Sequence, residues 1–180
     1  METKPNTWRD LIASAEYLVR ESYTSPAHMA PWGGSAGGIL AGRAITERPD
    51  LFGAAIIEVG SLDTIRAETT TNGVPNIKEF GTVTEEAGFH ALLAMSSYNN
   101  VRDDVEYPAV MLTHGFNDPR VEPWQSGKMA ARLQAATGSD NPVLLRVDFQ
   151  AGHGIGSTRD QYLQERADQF AFLFSRLGRN

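Results

Sequence analysis

Apolar positions along the chain recur first at helical spacing and then in short runs. Trp8, Leu11, Ile12, Ala15, Leu18 and Val19 fall three and four apart, which predicts an amphipathic helix over residues 7 to 22. Thr7 is placed to cap it, with Asp10 three residues on as a weak capping box. Tyr23-Thr24-Ser25-Pro26 stops it. Strands are predicted at His28 to Trp32, Ala54 to Val59, Tyr107 to His114 and Val143 to Phe149. Between and after them lie helical patterns: Ala36 to about Glu47, residues 123 to 137 with Pro123 in the first turn, and roughly Arg159 to Leu177. From Gly60 to Asn100 the pattern weakens to a polar loop at Thr69 to Ile77 and a helix around Glu85 to Met95.

Strands that alternate with helices imply βαβ units. The expected class is therefore α/β, with a mainly parallel sheet of about four strands and helices on both faces. A length of 180 residues allows one domain with a real core and not comfortably two, so residues 1–180 are read as a single domain. In such sheets sites form at the carboxyl ends of the strands.

One of those ends carries a chemical signature. Gly33-Gly34-Ser35-Ala36-Gly37 matches G-x-S-x-G between a predicted strand and a predicted helix. That context describes a nucleophile elbow, a sharp turn that lifts the Ser35 hydroxyl toward solvent. The Ala36 N–H would lie at the helix N-terminus, where it could stabilise an oxyanion.

A serine hydroxyl needs a base, and the base needs a third group to hold its tautomer. His153, between Gly152 and Gly154 after the last strand, is the best base; His114, His28 and His90 are the other histidines. His114, the main competitor, is expected to pack near Asp118. Asp118, in the turn after the third strand, is the acid of choice, with Asp148 and Asp140 as alternatives. The order Ser35, Asp118, His153 is that of α/β-hydrolases.

Composition removes other classes. There is no cysteine, so disulfides, thiolate metal sites and a cysteine nucleophile are excluded. A net charge of −6 argues against nucleic acid or an anionic membrane as partner. The four histidines lack ligand-pair spacing, so no metal and no cofactor is expected. The Gly-rich turn does not fit a nucleotide fingerprint, because no Gly-Lys-Ser/Thr follows it. No apolar run approaches membrane-spanning length, and Met-Glu-Thr-Lys-Pro-Asn lacks a signal-peptide core, so a cytoplasmic location is expected.

Several separate stretches, in order, resemble the prolyl oligopeptidase family of serine peptidases. They are Glu16-Tyr17-Leu18-Val19 with Tyr23-Thr24-Ser25-Pro26, Gly33 to Gly38, Arg48-Pro49-Asp50-Leu51-Phe52, Asn117-Asp118-Pro119-Arg120-Val121 and Ala151-Gly152-His153-Gly154. The resemblance runs from about Thr7 to Gly178 and covers the C-terminal part of the catalytic α/β-hydrolase domain. It implies Ser35 as nucleophile, Asp118 as acid and His153 as base. By the same match Arg120 would hydrogen-bond a substrate carbonyl, and Val121 would line the primary specificity pocket. The family's pocket tryptophan aligns near Ala91 and a tyrosine near Met95, with Phe89 and Leu92 keeping that region apolar. The family's β-propeller and the first strands of its sheet, which supply a tyrosine to the oxyanion hole, fall outside this sequence. One missing oxyanion donor costs about 100- to 1000-fold in rate.

The expected function is a serine hydrolase acting through an acyl-enzyme on small esters and short peptides, with esters favoured. The alternative is a non-catalytic remnant or assembly module. Because the elbow strand would have an unpaired neighbour side, a homo-oligomer through that sheet edge is expected.

Overall fold

A computed structural model of the chain describes residues 4–154 and 157–178. Its first element, helix α1 (Asn6–Arg20), buries Trp8, Ile12 and Ala15, the stripe that the spacing predicted. Thr7 is not its cap. Pro5 occupies the N-cap position, no side chain caps the helix, and Thr7 lies inside the first turn. The helix also closes before residue 22: the Tyr23 N–H returns to the Leu18 carbonyl at 2.9 Å, with Ser22 in the left-handed region at φ 60°. The Trp8 indole N–H donates to Glu47 Oε2 at 2.6 Å, which ties α1 to the end of helix α2 (Gly37–Glu47).

Four parallel strands form one sheet in the order β1-β2-β3-β4. They are β1 (Trp32–Gly34), β2 (Ala54–Glu58), β3 (Ala109–Gly115) and β4 (Val143–Asp148). The first strand begins later than predicted. Pro26–His28 forms a 3₁₀ turn, and Pro31 has no N–H to donate to a ladder, so regular pairing starts at Trp32. Ile57 then sits between Gly33 and Leu112, in the middle of the sheet.

Alternation along β2 and β3 separates two cores. Ala55, Ile57, Val110 and Leu112 face α2, α5 (Glu86–Met95) and α6 (Trp124–Ala136), where Ile45, Met95, Met129 and Leu133 meet them. Ala54, Ile56, Ala109 and Met111 face the last helix, α7 (Arg159–Leu177), through Phe172. The central strands are buried on both sides, which is why they read as continuous apolar runs rather than alternating ones. Each fully buried Ile or Leu contributes about 1.5–3 kcal/mol. The α/β class, the parallel sheet and helices on both faces stand as the pattern predicted.

The weakly patterned stretch after β2 holds α3 (Thr64–Ala67), a 3₁₀ turn at Val74–Asn76, α4 (Ile77–Phe80) and α5. It is held by hydrogen bonds from distant residues. Buried Gln125 accepts from the Leu62 and Asp63 N–H groups at 2.9 and 3.1 Å. Glu68 accepts from the Val83 N–H and the Thr82 hydroxyl, both at 2.7 Å.

Candidate active site

The turn between β1 and α2 is held on every side. The Ser35 N–H donates to the Glu58 carbonyl of β2, and the Ser35 carbonyl accepts from the Gly38 and Ser61 N–H groups, each at 2.9 Å. These bonds fix Ser35 at φ 55°. For a non-glycine residue that conformation costs about 1–3 kcal/mol and persists only where the surroundings enforce it. A Cβ on Gly33 would lie 2.1 Å from the Gly37 carbonyl oxygen, and one on Gly38 would lie 2.5 Å from the Gly60 Cα. At Gly37 nothing lies within 4 Å. The tight contact is therefore made at Gly38 rather than at the last glycine of the motif.

The loops after β3 and β4 are stitched together beside this turn. Phe116 N–H donates to the Asp148 carbonyl at 2.8 Å, and Asn117 N–H to the Ala151 carbonyl at 3.0 Å. Gly115 lets them approach, since a Cβ there would lie 2.1 Å from the Gly152 carbonyl oxygen. The result places His153 between Ser35 and Asp118. His153 Nε2 is 2.9 Å from Ser35 Oγ, and His153 Nδ1 is 2.6 Å from Asp118 Oδ2.

Asp118 is buried, and its side chain has no exposed surface. Oδ1 accepts from the Arg120 and Val121 N–H groups at 2.8 and 3.0 Å. Oδ2 faces His153 and, at 3.3 Å, His114 Nε2. Burial pushes the carboxyl up, but His114, the Val121 N–H, His153 and the Arg120 N–H outweigh it and hold it down to about 2. Asp118 is thus an anion whose four contacts all come from donors. With Asp118 accepting at Nδ1–H, the His153 Nε2 lone pair is free to accept the Ser35 proton.

The other histidines and acids lie elsewhere. His28 bonds the Ser25 hydroxyl at 2.9 Å at the entry to β1, and His90 is on the exposed side of α5. Asp148 caps the turn leading to His153 by accepting from the Gln150 and Ala151 N–H groups at 2.8 and 3.1 Å. Asp140 lies in the exposed loop before β4.

A cleft of about 190 Å³ opens beside Ser35 and Ala36, walled by Arg120, Val121, Asn76 and Phe80. Arg120 is exposed at the rim of the cleft, and at the start of α2 the Gly38 and Ile39 N–H groups return to the Ser35 and Ala36 carbonyls at 2.9 and 3.1 Å, which leaves the Ala36 N–H as the donor beside Ser35. Phe89 and Ala91 do not wall this cleft. Helix α5 turns Gly88, Leu92 and Met95 inward, leaving Phe89 36% exposed against His90 and Ala91 packed at the margin of the core. The aromatic wall is Phe80 of α4, which sequence reasoning missed. The available signal was its isolation: Phe80 is the only aromatic residue between Arg66 and Gly88. Among the described residues no cluster of His, Asp and Glu could hold a metal ion, and no helix is long and apolar enough to cross a membrane.

Comparison with known proteins finds relatives along nearly the whole chain. The prolyl endopeptidase of Dictyostelium discoideum is 38% identical over 175 residues, which is 96% of this chain and 23% of that protein. The prolyl endopeptidase of Elizabethkingia miricola is 38% identical over 178 residues, 98% of this chain and 25% of that protein. Among solved structures, oligopeptidase B from Trypanosoma brucei with covalently bound antipain superposes with a TM-score of 0.94 at 36% identity, covering 99% of this chain and 26% of that one. The chain spans about a quarter of the length of these relatives. Residues 1–180 match the prolyl oligopeptidase family throughout. The chain belongs to the prolyl oligopeptidase family of serine peptidases.

Proposed function

We propose that this chain carries the hydrolytic site of a serine hydrolase acting through an acyl-enzyme on small esters and short peptides. The observation that carries the reading is the continuous hydrogen-bonded array Ser35–His153–Asp118, with distances of 2.9 and 2.6 Å. His153 takes the Ser35 proton as Oγ attacks the acyl carbonyl, and Asp118 stabilises the imidazolium that forms. The Ala36 N–H, at the start of α2, donates to the oxyanion. The imidazolium then protonates the leaving group. In the second half, His153 activates water and Ser35 is released with the acid product.

Substrate recognition follows the cleft walls. Arg120 offers charged donors to a substrate carbonyl, and Val121 with Phe80 offers an apolar pocket for the acyl side chain. An ester has a better leaving group than an amide and demands less of an oxyanion site with one backbone donor. The test is turnover of matched p-nitrophenyl ester and p-nitroanilide substrates by wild type, Ser35→Ala and His153→Ala. Ester hydrolysis that exceeds amide hydrolysis and disappears in both variants supports the proposal. Turnover unaffected by Ser35→Ala contradicts it, and equal ester and amide rates contradict the ester preference.

A further inference from the structure

We propose that His114 is a positioning residue for Asp118, so that one carboxylate carries two serine–histidine arms. The first arm is Ser35–His153–Asp118, whose Ser35 end opens to the cleft. The second is Ser126–His114–Asp118, which is closed inside the protein: Ser126 is fully buried and His114 is 3% exposed. The inference rests on the reading of Ser35, His153 and Asp118 as the reacting groups.

The protonation of the second arm follows from its partners. His114 Nε2 is 2.8 Å from the Val121 carbonyl, which can only accept, so Nε2 carries a proton. The same nitrogen is 3.3 Å from Asp118 Oδ2. His114 Nδ1 is 2.7 Å from Ser126 Oγ on α6. A neutral ring in the Nε2–H form meets every partner: the Ser126 hydroxyl donates to Nδ1, and Nε2–H is shared between Val121 and Asp118.

This arrangement holds the acid in two ways. His114 fixes the Val121 carbonyl, while the Val121 and Arg120 N–H groups fix Asp118 Oδ1. The turn from Asp118 to Val121 is therefore clamped between β3 and its own carboxylate. In addition, the Nε2–H dipole faces the oxygen that receives His153 Nδ1–H, and it favours the ionised form that keeps His153 in its Nδ1–H tautomer. His114 borders the cavity that His153 lines, but its side chain has no exposed surface, so it acts through Asp118 and Val121 rather than on substrate. A buried histidine serving only as core filler would affect stability without affecting the tautomer of His153.

The experiment compares wild type, His114→Leu, His114→Gln and Ser126→Ala, each checked for folding by circular dichroism. Two quantities are read: the His153 ring tautomer, from long-range proton–nitrogen correlation spectra, and the labelling rate with a fluorophosphonate. His114→Leu is expected to draw His153 away from the Nδ1–H form and to slow labelling about 10- to 100-fold, the scale for loss of an outer-shell partner. His114→Gln, which returns an N–H near the Nε2 position, is expected to restore both. An unchanged tautomer and an unchanged rate in folded His114→Leu overturn the proposal. Should that variant not fold, Ser126→Ala decides in the same terms, because loss of its hydroxyl leaves His114 Nδ1 without its partner and releases the ring from the orientation that aims Nε2–H at Val121 and Asp118. Absence of labelling in wild type would overturn the hydrolytic reading alone, since the tautomer comparison still decides the role of His114.

Discussion

Gly38 and Gly60 touch backbone to backbone: a Cβ on Gly38 would lie 2.5 Å from the Gly60 Cα and 3.0 Å from the Ser61 nitrogen. This contact seats the first turn of α2 on the loop after β2, and the Ser61 N–H then holds the Ser35 carbonyl at 2.9 Å. Gly38→Ala is therefore expected to destabilise by about 1–3 kcal/mol, the usual cost of overpacking. Gly37→Ala meets nothing within 4 Å and is expected to be neutral or to stabilise by up to about 1 kcal/mol, since the residue is helical. Urea denaturation of the two variants checks the contrast, which the G-x-S-x-G motif alone would predict the other way round.

Asp118 links the site to acid stability. Its carboxyl is held down to about 2 in the folded protein, against about 3.9 for an unfolded chain. A depressed carboxyl contributes stability that is fully present above the unfolded value and is lost as pH falls through the folded one. Wild type is expected to exceed Asp118→Asn by on the order of 2 kcal/mol at pH 6, with the difference closing between pH 4 and about pH 2. Urea midpoints at pH 6 and pH 2.5 measure it. A gap that widens toward pH 2.5 would reverse the assignment.

Phe80 and Phe89 separate the two versions of the substrate pocket. Phe80 walls the cleft with Ser35, whereas Phe89 lies on the outer side of α5. Phe80→Ala is expected to raise KM for esters with bulky acyl groups by roughly tenfold, the scale of about 1–3 kcal/mol for lost apolar pocket contact. Phe89→Ala is expected to leave KM within twofold. Steady-state kinetics on a series of acyl chain lengths reads the difference.

Much of this was legible in the amino-acid pattern, and the exceptions have physical causes. The strands at Ala54 and Ala109 stood out because strands covered on both faces are apolar throughout. The array of Ser35, Asp118 and His153 stood out because each residue follows a strand of one parallel sheet, whose carboxyl ends converge. The start of β1 did not, because Pro31 and pairing with β2 decide it rather than local propensity. The lining of the cleft did not, because residues 60–85 are polar and are held by Gln125 and by Glu68 across gaps that no short-range period records. Phe89 and Ala91 lie in that same poorly patterned stretch, and it is the packing of Gly88, Leu92 and Met95 that sets which side of α5 they occupy.

The outer side of β1 has no strand partner among the described residues, and an aromatic ladder lies near it. Trp32 meets Phe170 edge-on at 5.6 Å, and Phe170 stacks on Phe174 at 6.3 Å, with Phe174 73% exposed. We propose that a second copy covers this edge when the chain is expressed alone. Sedimentation velocity at micromolar concentrations is expected to show a dimer or larger species in wild type and a shift toward monomer in Phe174→Glu. A monodisperse wild-type monomer would contradict the proposal.

Intact mass after incubation with a fluorophosphonate tests the central claim most directly, using folded wild type beside Ser35→Ala. One adduct is expected on wild type, at Ser35, and none on the variant. A well-folded wild type that gains no adduct, or a Ser35→Ala protein that gains the same one, would contradict it.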